Sequence, residues 1–151
     1  MPDISESIHI DADADTVYAL VSDVPGMGRF SIENRGARWL GRVTPPVTAG
    51  AKFVGWNRFK WLAWPTQGRV STAIRGRSFA FEIYCGPLKV ALWQYEIVPD
   101  ETGVTLTESW TDRRVPSAAR LLNRIFGEPR ESINTRSIHT TLERMKTAAE
   151  S

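Results

Sequence analysis

The chain is poor in the residues that most often carry covalent and metal chemistry. It has one cysteine, Cys85, and two histidines, His9 and His139, among 151 residues. A single cysteine excludes an intrachain disulfide, and no Cys/His spacing fits a zinc site. No Ser/His/Asp arrangement indicates a catalytic triad, and neither glycine-containing turn has phosphate-loop spacing. We therefore expect no metal and no cofactor.

Long hydrophobic runs and an excess of one charge are also absent. No apolar run approaches the length of a membrane span, and the polar start of the chain lacks a signal-peptide hydrophobic region. The net charge is +2 and the arginines are scattered, which argues against a nucleic-acid partner. We expect a cytoplasmic protein whose residues 1–151 form a single domain, since this length suits one core. Its oligomeric state is left open.

Bulky apolar residues alternate with small or polar ones through the middle of the chain. A period of 2 is typical of strands that have one buried face. The turns between these segments are too short for parallel crossovers, so the pattern predicts an antiparallel meander. About six strands follow a first strand at residues 4–11. The alternating residues are Phe79, Phe81, Ile83, Trp93, Tyr95, Ile97, Val104, Leu106 and Trp110.

Helical patterns flank the meander. Asp13 precedes apolar residues at helical spacing, which is an N-cap signature, and a second short helix is predicted at residues 28–32. The pattern becomes helical again after Pro116. Because the sheet has one apolar face, the final helix must pack across it, which predicts an α+β fold. The stripe of that helix consists of Ile138, Leu142, Met145 and Ala149, with the polar Asn134, Ser137 and Thr141 beside it.

Four stretches resemble segments of the polyketide cyclase/dehydrase-like family. They are residues 14–23 (ADTVYALVSD), 50–58 (GAKFVGWNR), 64–66 (WPT) and 103–110 (GVTLTESW). The order of elements is similar to that of the START/birch-pollen-allergen-like (SRPBCC) superfamily over nearly the whole chain. The resemblance implies a helix-grip fold, with a meander sheet curved around a long C-terminal helix and two short helices after the first strand. It also implies a hydrophobic ligand cavity, although members range from lipid carriers and hormone receptors to aromatases and co-chaperones.

We expect the cavity to lie between the sheet and the C-terminal helix near Ile138. Its lining should be mostly aromatic and aliphatic, with a few polar groups that orient a ligand. The expected ligand-binding residues are Phe53, Asn57, Trp64, Phe79, Phe81, Ile83, Trp93, Tyr95, Glu108, Trp110, Ile138 and Leu142.

Glu108 is the most informative of these residues, because a carboxyl falls in phase with an apolar lining. In a functional interpretation, burial raises its pKa and lets it exchange a proton with a ligand. In a structural interpretation, it pairs with an arginine or accepts a hydrogen bond from a tryptophan N–H at the cavity mouth. Asn57 shares phase with Phe53 and would project its amide into the same space, where it needs partners.

Three functions fit this pattern. The favoured one is noncatalytic binding or transport of an apolar or aromatic small molecule. The first alternative is an aromatase/cyclase-like enzyme, for which Glu108 and Tyr95 are the candidate catalytic acid–base residues. The second is a protein-interaction module that docks a partner through the helix around Leu121 to Phe126, which exposure of Leu122 or Phe126 would indicate.

Overall fold

A computed structural model describes residues 1–151 and has the predicted α+β helix-grip architecture. A curved seven-stranded antiparallel sheet holds a long C-terminal helix. The strands are β1 Ile4–Ile10, β2 Asn34–Trp39, β3 Lys52–Phe59, β4 Leu62–Ile74, β5 Ser78–Cys85, β6 Leu88–Asp100 and β7 Gly103–Asp112. The helices are α1 Ala14–Val21, α2 Pro116–Phe126 and α3 Arg130–Glu150, and a short 3-10 helix spans Val24–Arg29.

The strand order is β1-β7-β6-β5-β4-β3-β2. Strands β2 to β7 form the predicted meander, and β1 pairs with β7, so the first and last strands are neighbours. The turn between β4 and β5 places Gly76 at a φ of 74°, and the next turn places Gly86 at 61°. Glycine reaches this left-handed region without the steric penalty that a Cβ brings, which permits such short connections.

Two short helices follow β1, as expected, but the second begins earlier than predicted. The 3-10 helix starts at Val24 and not at residue 28. Its N-cap is Asp23, whose side chain accepts a hydrogen bond from the N–H of Gly26. Pro25 lies in the first turn, where the backbone N–H groups have no partner within the helix, so its missing N–H costs no hydrogen bond. The residues that follow α1 therefore start the next helix directly.

Strand β4 begins at Leu62, before Pro65. Residues 62–66 pair with β3, whereas pairing with β5 starts at Gln67. The first part of β4 therefore has a neighbouring strand on one side only. Proline has no N–H to donate and is found at such edges of a sheet. This extension carries Trp64 along the sheet towards α2, where its ring meets that of Phe126 at 5.2 Å.

The two C-terminal helices differ in how they are held. On α3, Ile138, Leu142 and Met145 are fully buried against the sheet, as the stripe predicts. On α2, no residue is buried, and Leu121 remains 59% exposed. Gly127 ends α2 in the left-handed conformation and Pro129 precedes α3, so the chain turns sharply between them. None of the helices combines the length and the apolar character needed to cross a membrane.

Candidate functional site

A cavity of about 650 Å³ lies between the sheet, α2 and α3. Of its 35 lining residues, 21 are hydrophobic, so its surface suits an apolar molecule. Three lining side chains are also largely exposed to solvent and mark the rim: Leu88, Val115 and Ile125. Leu122 and Phe126 of α2 turn towards the cavity and are only partly exposed, whereas Leu121 and Ile125 of the same helix are exposed.

The sheet contributes an aromatic floor. Phe81, Trp93 and Trp110 are direct neighbours on β5, β6 and β7 and form one row across the sheet. Phe53 extends this wall from β3 and meets Phe81 edge to face, with 5.5 Å between the ring centroids. Behind Phe53 lies Gly68, where an added Cβ would fall 2.1 Å from the ring. The position of Phe53 therefore requires glycine at residue 68.

Nine of the twelve residues expected at the site line this cavity. They are Phe53, Asn57, Trp64, Phe81, Ile83, Trp93, Tyr95, Glu108 and Trp110. The other three, Phe79, Ile138 and Leu142, are buried outside it.

Each of the three exceptions has a packing reason. Phe79 lies two residues from Phe81 on the same face, but the ring of Tyr18 from α1 covers it edge to face at 6.3 Å. Ile138 and Leu142 belong to the fully buried stripe of α3 that packs into the hydrophobic core. Strand and helix periodicity identify the correct buried faces. These three residues lie on parts of those faces that pack against other elements of the protein and not against the cavity.

Tyr95 and Glu108 form a buried pair in the cavity wall. The Tyr95 hydroxyl donates a 2.7 Å hydrogen bond to Glu108 Oε2, and its oxygen lies 3.9 Å from the sulfur of Met27. The other carboxyl oxygen, Oε1, has no hydrogen-bond partner in the protein. The prediction that Glu108 pairs with an arginine or with a tryptophan N–H is wrong, because its hydrogen-bond partner is the Tyr95 hydroxyl.

Burial controls the ionisation of both groups. Loss of solvation raises the pKa of Glu108 to about 8, the Tyr95 hydrogen bond opposes this rise, and the charge of Glu6 adds to it. Glu6 is directly opposite Glu108 on β1. Burial also raises the pKa of Tyr95 well above its ordinary value, and the charge of Glu108 adds to this rise. Both groups are therefore mainly uncharged at neutral pH, and the carboxyl can donate a proton.

Asn57 lines the cavity, but its amide nitrogen already has partners within the protein. It donates to the carbonyl oxygen of Trp64 at 3.3 Å and to the hydroxyl oxygen of Thr66 at 3.1 Å. These bonds connect β3 to the one-sided part of β4. The amide nitrogen therefore holds the wall in place.

Several polar residues of the cavity were not among the expected site residues. Arg130, at the start of α3, forms an ion pair with the buried Glu33, and its guanidinium lies 4.9 Å from the centre of the Phe126 ring. Asn134, one turn further along α3, is 1% exposed. Ser137 and Thr141 follow on the same side of the helix and also line the cavity. The only sequence signal for this set is the short polar row beside the apolar stripe of α3.

No group of three or more His, Cys, Asp or Glu side chains is close enough to hold a metal ion. The polar chemistry of the cavity includes the Tyr95–Glu108 pair, the Glu33–Arg130 ion pair, and amide and hydroxyl groups. Three further cationic side chains line it: Lys89, Arg113 and Arg114. Such groups bind ligands through hydrogen bonds and can transfer protons.

Solved structures with the same fold include several aromatase/cyclases. The di-domain aromatase/cyclase StfQ of the steffimycin biosynthetic pathway aligns with a TM-score of 0.75 at 14% identity. The alignment covers 97% of this chain and 50% of StfQ, so the chain spans half the length of that protein. The Zhui aromatase/cyclase from a Streptomyces species aligns with a TM-score of 0.69 at 13% identity, over 97% of this chain and 92% of that one. At these identities the likeness shows the fold alone.

Two further comparisons concern the sequence more directly. The polyketide cyclase-like protein Cgl2372 from Corynebacterium glutamicum is 31% identical, with a TM-score of 0.57, over 97% of this chain and 88% of that one. A search of curated proteins gave no match. The family described as "Polyketide cyclase / dehydrase and lipid transport" matches residues 1–150. With nearly the whole chain matched, the protein belongs to this polyketide cyclase/dehydrase and lipid transport family.

Proposed function

We propose that this protein binds one apolar or aromatic small molecule in the cavity between its sheet and α3. The observation that carries the proposal is the cavity itself. Its volume of about 650 Å³ lies within the range typical of small-molecule sites, and most of its lining is hydrophobic. A well-packed core has few voids larger than a water molecule, so a space of this size favours a binding role over a purely structural one.

The walls indicate how the molecule would be held. Transfer of apolar surface from water contributes roughly 25 cal/mol per Å², before the cost of ordering the ligand is subtracted. The row of Phe81, Trp93 and Trp110 presents aromatic surface along which a flat ligand can stack. The polar groups are few, so they would orient the ligand, and apolar burial would provide most of the affinity.

A cavity-filling variant tests this proposal. Ser137 lines the cavity from α3, whereas Ser132 on the same helix is exposed. We expect the neutral fluorescent probe phenylnaphthylamine to bind with one molecule per chain in a fluorescence titration. Ser137→Phe should weaken that binding by about tenfold or more, because the added ring occupies the site. Ser132→Phe should leave it unchanged. Equal binding by both variants would place the probe outside the cavity and overturn the proposal.

A second candidate function is acid–base catalysis of a cyclisation or dehydration. The observation that favours it is the hydrogen-bonded Tyr95–Glu108 pair in the cavity wall, with the pKa of Glu108 raised to about 8. A carboxyl that is protonated at neutral pH can donate its proton to a hydroxyl group that leaves as water. Relatives named as aromatase/cyclases support this candidate through the shared fold only.

Glu108→Gln separates the two candidates, because glutamine keeps the shape of the protonated carboxyl but has no acidic proton to transfer. If Glu108 only shapes the cavity, affinity should stay within about tenfold, or about 1.4 kcal/mol. If Glu108 is an acid–base catalyst, turnover of a substrate should fall by roughly two to four orders of magnitude while binding persists. Turnover that is unchanged in Glu108→Gln would exclude the catalytic role.

A further inference from the structure

One edge of the sheet brings together three connecting segments beside α2. Strands β3, β5 and β7 run in the same direction, because one antiparallel strand lies between each of them and the next. The turns after β3 and β5 and the segment after β7 therefore lie at the same edge. The ring of Phe59 at the end of β3 lies 5.8 Å from that of Phe126 on α2, and the N–H of Arg113 donates to the carbonyl oxygen of Val90 on β6 at 3.0 Å. We call this region, which consists of residues 60–61, 86–89 and 113–126, the mouth edge.

The mouth edge exposes large apolar side chains. Of the ten large hydrophobic side chains that the whole molecule leaves exposed, five lie here: Trp61, Leu88, Val115, Leu121 and Ile125. Trp61 is 78% exposed, in the turn between β3 and β4. Leu88, Val115 and Ile125 also line the cavity, so the cavity opens within this surface. Apolar side chains concentrated in one region, unlike scattered ones, indicate a surface that contacts a partner.

Cationic side chains lie among these apolar ones. Four of them are exposed and form no ion pair: Lys60, Lys89, Arg120 and Arg124. The segment from Arg113 to Gly127 contains no Asp or Glu. The acidic residues on either side of that segment, Asp112 and Glu128, are each paired with an arginine. The mouth edge therefore carries a local positive charge, although the net charge of the chain is only +2.

An anionic lipid bilayer matches both properties of this surface. Its headgroups attract lysine and arginine, tryptophan is enriched at the level of the headgroups, and exposed aliphatic side chains enter the boundary with the acyl chains. A nucleic acid would pair with the cations but leave the aliphatic side chains without a partner. A second copy of the chain would bring a surface of the same charge against this one, which opposes association.

We propose that the mouth edge docks reversibly on an anionic lipid bilayer. The apolar side chains of the turn at residues 60–61 and of α2 enter the headgroup region, and the four unpaired cations contact lipid phosphates. In this orientation the cavity opens towards the bilayer. The inference goes beyond the proposed function and does not depend on it, because it concerns an outer surface whether or not the cavity is occupied.

Vesicle co-sedimentation tests the apolar part of the contact. The probes are phosphatidylcholine vesicles with and without phosphatidylglycerol, and the measured quantity is the partition coefficient of the protein. Leu121→Ser/Ile125→Ser should lower it on anionic vesicles by roughly tenfold or more, because two aliphatic side chains no longer enter the bilayer. Ile74→Ser/Val98→Ser is the matched control, since both side chains are exposed near the ends of β4 and β6, at the opposite edge of the sheet, and should leave binding unchanged.

A second pair of variants tests the charged part. Arg120→Gln/Arg124→Gln should weaken binding to the anionic vesicles by roughly tenfold, and added salt should weaken wild-type binding as well. Arg38→Gln/Arg69→Gln removes the same charge from two exposed arginines beside the start of β3, away from the mouth edge, and should have little effect. Trp61→Ser, in a separate segment, should lower the partition coefficient by about fivefold, and it carries the test if the α2 variants do not fold.

Each outcome supports or overturns the proposal. Stronger binding of wild type to anionic than to neutral vesicles, with losses confined to the variants of the mouth edge, supports it. No binding of wild type to anionic vesicles at low salt overturns it, and so do equal losses in the mouth-edge variants and their controls. Binding that depends on the arginines of α2 but is unchanged by Trp61→Ser and Leu121→Ser/Ile125→Ser would show adsorption by charge alone and contradict entry of the apolar side chains. A dimer in light scattering, with no vesicle binding, would assign the surface to a second copy of the chain and not to a bilayer.

Discussion

Tyr95 and Glu108 are direct neighbours on β6 and β7, and the Tyr95 hydroxyl donates a 2.7 Å hydrogen bond to the carboxyl of Glu108. Both side chains are 2% exposed, and both line the cavity. A carboxyl in this position keeps its proton at neutral pH, because the cost of burying a charge exceeds the benefit of the single hydrogen bond. The polar centre of the wall is therefore uncharged.

The raised pKa of Glu108 predicts how stability depends on pH. The carboxyl holds its proton in the folded state up to a pKa of about 8, whereas its ordinary value is 4.5. Between these values the folded state binds more protons than the unfolded state, so the free energy of unfolding falls as pH rises. The slope from this one group approaches about 1.4 kcal/mol per pH unit. Urea denaturation across that window measures it.

Glu108→Gln is the comparison that isolates this effect. His139 also contributes to the pH dependence, because its hydrogen bond to Glu6 raises its pKa, but it does so in both proteins. The stability of Glu108→Gln relative to wild type should therefore increase as pH rises from about 4.5 to 8 and then level off. A difference that stays constant with pH would show that Glu108 ionises normally.

The close approach of Phe53 to Gly68 predicts that Gly68→Ala is destabilising. The new Cβ would fall 2.1 Å from the Phe53 ring, which lines the cavity, so the ring must move. Overpacking of this kind costs roughly 1–3 kcal/mol. Thermal or urea denaturation checks the loss, and a titration with phenylnaphthylamine should show weaker binding, because the displaced ring narrows the cavity.

The double variant Gly68→Ala/Phe53→Leu is the control for that steric cause. Leucine lacks the distal ring atoms that would meet the new Cβ. The effects of the two changes should therefore not add, and the double variant should be more stable than the sum of the single effects predicts. Additive losses would mean that Gly68→Ala acts through backbone conformation.

Leu142→Ala should destabilise the fold by roughly 2–5 kcal/mol, because Leu142 is 1% exposed and its removal leaves a void between α3 and the sheet. Glu143→Ala is the matched control, since its side chain is exposed on the same helix and should change stability by no more than about 0.5 kcal/mol. Chemical denaturation measures both. Similar effects for the two variants would contradict the packing of α3 described above.

Helix α2 should be the segment that opens to admit a ligand. It lines the cavity through Ala118, Leu122 and Phe126 but contains no buried residue, whereas seven residues of α3 are buried. Local stability follows local burial, so amide hydrogen exchange should be faster in α2 than in α3. Binding of phenylnaphthylamine should slow exchange in α2. Equal protection of the two helices in the free protein would argue against this role.

The sequence predicted the fold well because each element carries its own period. Alternation along β5, β6 and β7 identified the buried face, and the stripe of α3 identified the side that packs on the sheet. The period of a strand or helix identifies its buried face, but it does not show which part of that face each neighbouring element covers. Phe79 and Phe81 are therefore indistinguishable by pattern, although α1 covers only the first.

The polar part of the cavity could not be derived in the same way. Glu33 and Arg130 are 97 residues apart in the sequence, and neither belongs to a motif that indicates their ion pair. Asn134 lies beside an apolar stripe, where a polar residue is ordinarily solvated. Its burial depends on how α3 is rotated over the sheet, which is set by contacts from several distant strands.

The most direct test of ligand binding is an NMR measurement of contacts between protein and probe. Isotope-filtered nuclear Overhauser spectra of the phenylnaphthylamine complex report which side chains lie close to the rings of the probe. We expect contacts from Phe81, Trp93 and Trp110 on the sheet and from Asn134 on α3. Contacts confined to exposed apolar side chains outside the cavity, such as Trp61, would contradict binding in the cavity.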